Sequence, residues 1–294
     1  MNKQTHTQIY HYRAFGLRIA SDLPFLELSH AADDGTPPDV SLMKTDKLIK
    51  QENSPQSFYL SVPTVADFWV QRGASISYHP HPSVSQDSLR LFILGSCMGA
   101  LLQQRGGIIL HGNAVSTDGK HCKIFVGESG AGKSTLASWY YLQGAKILAD
   151  DVCLITISED GQAYVMPSYP QLKLWQKSAD LLGVDTAPLR QLQENYPKFA
   201  VPTDEQFMPT PLPFTEINEI VPTVEHSVKL QGLEKVKSLI QHSYRYPFIE
   251  KMGLMSHYHH KLLQLASCVN VNRVPRQSLH RSPQPCNLVL VDNQ

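Results

Sequence analysis

The 294-residue sequence has no excess of either charge: 26 Lys and Arg balance 26 Asp and Glu. A chain of zero formal net charge offers no broad basic field, which argues against nucleic acid or an anionic membrane surface as a partner. Long apolar runs are missing too. The longest, Leu89 to Leu102, is interrupted by Arg90, Gly95 and Ser96 and is too short to cross a bilayer. The first residues, Met1 to His6, are polar and lead into no secretory hydrophobic segment, so the expected location is the cytoplasm. The cysteines Cys97, Cys122, Cys153, Cys268 and Cys286 stand far apart, with no C-x-x-C pair. Neither a zinc site nor a disulfide framework is signalled, and buried free thiols are expected. His257-Tyr258-His259-His260 has no Cys or carboxylate pattern around it and reads as a helical segment, not a metal site. His79-Pro80-His81-Pro82 reads as an extended, proline-held connector.

What is present has the pattern of an α/β protein with a β-rich N-terminal lobe over residues 1–84 and a catalytic domain over 85–294. Tyr10–Phe15, Phe58–Val62, Asp67–Val70 and Ser75–Tyr78 read as short strands, with turns at Gly35–Pro38 and Ser54-Pro55. A helix capped by Asp87 or Ser88 is expected to run to about Gln104, buried on most faces because it is apolar nearly all round. Ile108–Val115 and Cys122–Val126 read as a hairpin turning at Thr117–Lys120, and Lys146–Ile155 as one further strand. A turn at Glu159–Gln162 leads to a strand at Ala163–Met166. Leu172–Gly183 reads as a short amphipathic helix and 185–213 as a long irregular excursion. Ile217–Val221 and Ser267–Val271 are expected strands, Glu234–Gln241 and Met255–Ala266 expected helices, and an apolar period returns at Leu288–Val291.

The densest chemical information is the run Gly127-Glu128-Ser129-Gly130-Ala131-Gly132-Lys133-Ser134-Thr135. It fits G-x-x-x-x-G-K-[ST], a loop whose backbone N–H groups cradle a polyphosphate before a helix N-terminus. The glycines allow torsions and close approaches that a Cβ would block. Lys133 would reach the β- and γ-phosphates and Ser134 would ligate Mg²⁺. An apolar strand precedes the loop, and a helix closed by Gly144 follows it, as the motif requires.

Two further features narrow the chemistry. Asp150-Asp151 ends an apolar run after the loop helix, where such proteins hold Mg²⁺. Neighbouring strand residues point to opposite faces, so both aspartates can serve one site only if the strand ends or bends between them. One carboxylate would then hold the metal while the other accepts a proton from an attacking hydroxyl. His111, on the strand before the loop strand, comes near the loop if the hairpin forms, where an imidazole could orient the base or touch the γ-phosphate.

In order and spacing, Leu110-His111-Gly112, Gly127–Thr135 and Leu148-Ala149-Asp150-Asp151 resemble the catalytic core of the HPr serine kinase/phosphorylase family. Phe15–Pro24, Leu172-Lys173-Leu174-Trp175 and Lys198–Pro202 are similar, more weakly, to stand-alone HPr-kinase-like proteins of biosynthetic clusters, including lasso-peptide kinases. The resemblance implies a P-loop kinase core of the HPr kinase C-terminal and PEP-carboxykinase-like type, with ATP and Mg²⁺ as cofactors. It implies His111 and Asp150 as the catalytic pair, with Asp150 as general base. Ser134 and Asp151 would lie at Mg²⁺, and Lys133 would neutralise charge on the γ-phosphoryl. Lys173, Lys198, Arg273 and Arg276 are candidates for phosphate contacts. The implied acceptor is a serine of a peptide or small protein. A small-molecule hydroxyl is the alternative, and a nucleotide-responsive peptide-binding module without transfer is the reading from another class. The resemblance allows a homo-oligomer. The glycine-rich segment that follows the core in HPr kinase/phosphorylases has no counterpart here, which speaks against HPr as substrate and against the reverse, phosphorolytic reaction.

Overall fold

The first 80 residues contribute seven strands to one sheet: β1 (Tyr10–Ala14), β2 (Leu17–Ser21), β3 (Ser29–His30), β4 (Val40–Lys44), β5 (Ser57–Val62), β6 (Ala66–Gln71) and β7 (Ser75–Pro80). The computed structural model describes residues 8–193 and 196–276. The strands lie in the order β3-β1-β2-β4-β7-β6-β5. Period-two alternation gives the sheet an apolar face: Ala66, Phe68 and Val70 of β6 are buried while their neighbours are half-exposed.

That face packs on a helical segment. Ser85 caps α1 (Gln86–Phe92), its hydroxyl accepting from Ser88 N–H, so the cap lies just ahead of the expected Asp87 or Ser88. A π-helical turn over Ile93–Cys97 leads into α2 (Met98–Gln104). Ile93, Cys97, Ala100 and Leu101 are fully buried, as the all-round apolar pattern requires.

The second sheet is centred on β8 (Ile108–Ser116). The chain then forms β9 (Lys123–Val126), α3 (Lys133–Leu142), β10 (Lys146–Ala149), β11 (Val152–Ile157), β12 (Ala163–Met166), β13 (Gln171–Trp175), α4 (Gln176–Leu182), β14 (Arg190–Gln193), β15 (Tyr196–Pro202), β16 (Leu212–Pro213), β17 (Glu216–Val221) and β18 (Val228–Lys229). The helices α5 (Gly232–Gln241), α6 (Tyr246–Lys251) and α7 (Met255–Cys268) follow, and β19 (Asn270–Pro275) comes last. Strand order is β16-β12-β11-β8-β9-β17-β19-β18, with β10 also on β8. β9, β17 and β19 are parallel neighbours, and the remaining pairs are antiparallel. A third, three-stranded sheet has the order β13-β15-β14. The molecule is therefore mixed α/β with several sheets.

Four expectations are corrected. The strand expected over Lys146–Ile155 is interrupted: β10 and β11 pair with successive stretches of β8, and within β10 the register shifts between Ile147 and Ala149. Asp151 takes the left-handed φ of 65° at the break. Leu172–Gly183 is not one helix. Leu172 and Leu174 alternate with Lys173 as a strand on β15, and helix begins only at Gln176. The excursion at 185–213 is partly ordered, because β13 supplies an edge on which β15 and then β14 pair. The last strand starts at Asn270, since α7 extends to Cys268. The short elements β18 and α6 had no period to reveal them. Cys97, Cys122 and Cys153 are buried free thiols and Cys268 is half-buried and free. Cys286 and Leu288–Val291 lie outside the described residues.

Candidate functional site

The loop from Gly127 to Gly132 joins the end of β9 to the start of α3. Gly127, Gly130 and Gly132 have φ of 153°, 83° and 109°. A Cβ on Gly127 would stand 2.9 Å from the Ile220 carbonyl oxygen on β17, so the tight passage against that strand requires glycine. Lys133 opens α3 with its side chain folded into the loop, where Nζ donates to the carbonyls of Gly127 (2.7 Å) and Glu128 (3.1 Å). Burial lowers its pKa, while Asp151 and Asp150 oppose that shift. Ala131 is buried, and its N–H donates to the Glu128 carbonyl at 3.1 Å. One residue past Ser134, the Thr135 hydroxyl bonds Ser178 of α4 at 2.7 Å, fixing α4 beside the first turn of α3.

The backbone break between β10 and β11 sends the two aspartates to different surroundings. Asp150 is 1 % exposed. Its carboxylate accepts from Asn113 Nδ2 and, at 2.8 Å, from the Lys173 backbone N–H. Burial, reinforced by Asp151, raises its pKa. Asp151 turns outward and pairs with Lys173 Nζ at 2.8 Å and Lys198 Nζ at 3.7 Å. Burial alone would raise its pKa, but the two ammonium groups and His111 hold it well below the usual carboxylate range.

His111 lies on β8, where its N–H donates to the His242 carbonyl at 2.7 Å. Its ring stacks on Tyr244 with centroids 5.7 Å apart and planes 7° from parallel. Burial pushes its pKa down to about 4; Asp151 resists the shift and Lys133 adds to it. The imidazole is therefore neutral at physiological pH. Tyr244 is itself seated on glycine: a Cβ at Gly99 would lie 2.9 Å from its ring.

Two cavities meet at these side chains. The smaller, about 490 Å³, is lined by the loop and the start of α3, with Lys133, Ser134 and Thr135, and by Trp175, Lys198 and Arg276. The larger, about 820 Å³, lies on the other side between Phe92, Ser96, Glu128, Lys173, Tyr244 and Arg245. His111, Ser129 and Asp151 line both. Asp150 lines neither. Of the four basic candidates, Lys173 borders the larger cavity, and Lys198 and Arg276 border the smaller. Arg273 does not join them: its Nε donates to Glu219 at 2.9 Å, in a buried set with His242.

Among the described residues, no three His, Cys, Asp or Glu side chains cluster as a ready-made metal site. Oxygen donors are present in another form, since the Ser134 hydroxyl and the Asp151 carboxylate face the same cavity. A hard cation that keeps phosphate and water ligands needs only one or two such groups, so these residues fit Mg²⁺. Also among the described residues, no helix is long and apolar enough to cross a membrane.

Asn113, Tyr244, Arg245 and Trp175 join the site without a catalytic or phosphate-binding motif to mark them in the sequence. Asn113 was within reach of it, because it follows His111 by two positions on one strand and so shares its face. Tyr244 and Arg245 lie between helices in a stretch with no motif. The chain matches no known family model and no curated protein.

Proposed function

We propose that this protein is an ATP- and Mg²⁺-dependent kinase with a P-loop core of the HPr-kinase type, transferring the γ-phosphoryl group to a hydroxyl, most plainly a serine of a peptide or small protein. The observation that carries this reading is that the loop cavity and a second, larger cavity share His111, Ser129 and Asp151. A phosphoryl donor in one and an acceptor in the other would meet at a carboxylate and a neutral imidazole.

When bound, MgATP supplies the phosphoryl group and the charge that activates it. The chain's own residues would do the rest. The loop amides and Lys133 would hold the β- and γ-phosphates, Lys133 exchanging its two carbonyl contacts for phosphate oxygens. Ser134 would supply the protein ligand to Mg²⁺ alongside phosphate and water oxygens, which leaves the Asp151 carboxylate to the acceptor. Asp151 would orient the acceptor hydroxyl and take its proton as the new P–O bond forms and the β–γ bridge oxygen leaves with ADP. A weak base serves a loose phosphoryl-transfer transition state, since positioning dominates its catalysis. Neutral His111 would hold the hydroxyl or a γ-oxygen by one hydrogen bond. This assigns to Asp151 the acceptor-facing role that family resemblance implies for Asp150. Asp150 becomes the buried anchor that fixes β13, and with it Lys173, against Asp151.

A small-molecule hydroxyl is the second reading. It is favoured by the larger cavity, whose volume of about 820 Å³ falls within the range of small-ligand sites. The deciding experiment incubates the protein with γ-labelled ATP, Mg²⁺ and serine-containing peptides or small hydroxyl compounds, beside Asp151→Asn. Label transfer that the variant loses is expected, and the labelled acceptor names the class. Tight ATP binding with neither transfer nor hydrolysis would leave a nucleotide-responsive binding module instead.

A further inference from the structure

The smaller cavity includes an aromatic side chain that no phosphate would use. Trp175 closes β13 and is 41 % exposed, whereas Leu172 and Leu174 of the same strand are buried. Leaving an indole in water forgoes one of the largest burial gains a side chain offers. Apart from His111 beside the carboxylate, it is the one aromatic ring lining this cavity among the described residues. Trp175 is held by a paired sheet, not a free loop, because it lies directly across from Lys198 on β15. The Lys198 ammonium stands 5.5 Å from the indole centroid. Tyr196, 55 % exposed, meets the indole edge-on with centroids 6.5 Å apart. Lys198 Nζ is also 3.7 Å from Asp151, so the platform begins within a nucleotide's length of the carboxylate. Thr135, Ser178 and Arg276 line the same cavity.

We propose that the Trp175 indole, supported by Tyr196 and Lys198, is the surface on which the nucleobase of the bound nucleotide stacks. The inference rests on the nucleotide reading of this cavity and adds its base-binding half. A glycine loop and cations hold phosphate without regard to the base, and a flat π-surface in the same cavity holds the base. Every base has a π-face, so stacking grips purines broadly and implies that GTP binds nearly as well as ATP.

The test compares Mg²⁺-ATP with Mg²⁺-tripolyphosphate, each titrated calorimetrically into the full chain and into Trp175→Ala and Trp175→Phe. The wild type should bind ATP more tightly than tripolyphosphate. Trp175→Ala should lose about tenfold or more of its ATP affinity with tripolyphosphate unchanged, and Trp175→Phe should retain most of it. ATP should quench tryptophan fluorescence in the wild type, tripolyphosphate should not, and the quench should vanish in Trp175→Phe. Equal weakening of both ligands in Trp175→Ala, or equal affinity of the wild type for both, overturns the platform while leaving the phosphate cradle standing. Binding of neither ligand overturns the nucleotide reading itself, and the platform with it.

Discussion

Asp151 owes its place to a single backbone torsion. Its φ of 65° is uncommon for a residue with a Cβ, and strain of this kind persists where surrounding contacts over-determine it. Here the contacts are the Lys173 and Lys198 ammonium groups on Asp151 and the two hydrogen bonds that pin Asp150 behind it. The two positions should therefore respond differently to the same change. In the proposed reaction, Asp151→Asn is expected to lower kcat by about 10²–10³-fold with the fold intact. Asp150→Asn should keep most of kcat, because Asn113 can turn its amide and offer the Oδ1 that now has no partner. Steady-state kinetics of the pair checks this, and a larger loss in Asp150→Asn would move the proposed base from Asp151 to Asp150. His111 gives a pH signature. Its pKa falls from 6.5 to about 4 on folding, so between those values the unfolded chain binds the proton and the native one does not. This contribution to stability is complete above pH 6.5 and is lost as pH falls toward 4, by at most about 3 kcal/mol. Urea unfolding at pH 7 and pH 5 should show a smaller drop for His111→Asn than for the wild type. Lys133, Ser134 and the glycines were legible as a group because their chemistry is local, a loop of fixed length before a helix. The split between Asp150 and Asp151 was not legible, because it depends on which groups from β8, β13 and β15 close around each.

At the scale of elements, the segment that carries His242, Tyr244 and Arg245 is anchored from below. Glu219 of β17 accepts from His242 Nε2 at 3.1 Å, from Arg273 of β19 at 2.9 Å and from Ser238 of α5 at 3.2 Å. Both the Glu219 and the His242 side chains are 5 % exposed. Burial raises the Glu219 pKa, but His242 and Arg273 outweigh it and hold the group ionised. Removing one partner of a buried pair leaves the other uncompensated, at about 3–5 kcal/mol. Glu219→Ala is expected to lose about that much in denaturant unfolding. In the proposed reaction it should also raise KM for the acceptor more than KM for ATP, since the loosened segment lines only the larger cavity. Strands and helices with a clean period, such as β6, β8 and α5, could be read from sequence. β13, β14 and β15 could not. Gln171–Trp175 carries too few residues to separate a helical from an extended pattern, and the partner that decides is some 25 residues away in the chain, across the Trp175–Lys198 register.

For the whole molecule, the hydrophobic core does not respect the change of composition near residue 84. Phe58, Phe68 and Ile76 of the first sheet share one buried cluster with Leu89, Ile93 and Met98 of the helical segment and with Ile109, Val152 and Leu154 of β8 and β11. Buried charge crosses the same line, since Glu27 pairs with Arg90 at 3.3 Å and with Arg190 at 2.6 Å. A fragment of residues 85–294 alone is therefore expected to fail to fold cooperatively, while the full chain unfolds in one calorimetric transition. Separate, additive transitions for the two parts would contradict this. By itself the sequence determined the balanced net charge, the loop and its helix, and the strands on either side of them. These follow from charge count, from glycine's torsional freedom and from short-range periodicity, which neighbouring residues alone decide. Only the tertiary structure decided which aspartate faces the cavity, where His111 rests, that Trp175 lines the loop cavity and that the first sheet completes the core. Each of those depends on strands and helices far apart in the chain being brought within a few ångströms, and no local pattern encodes that distance.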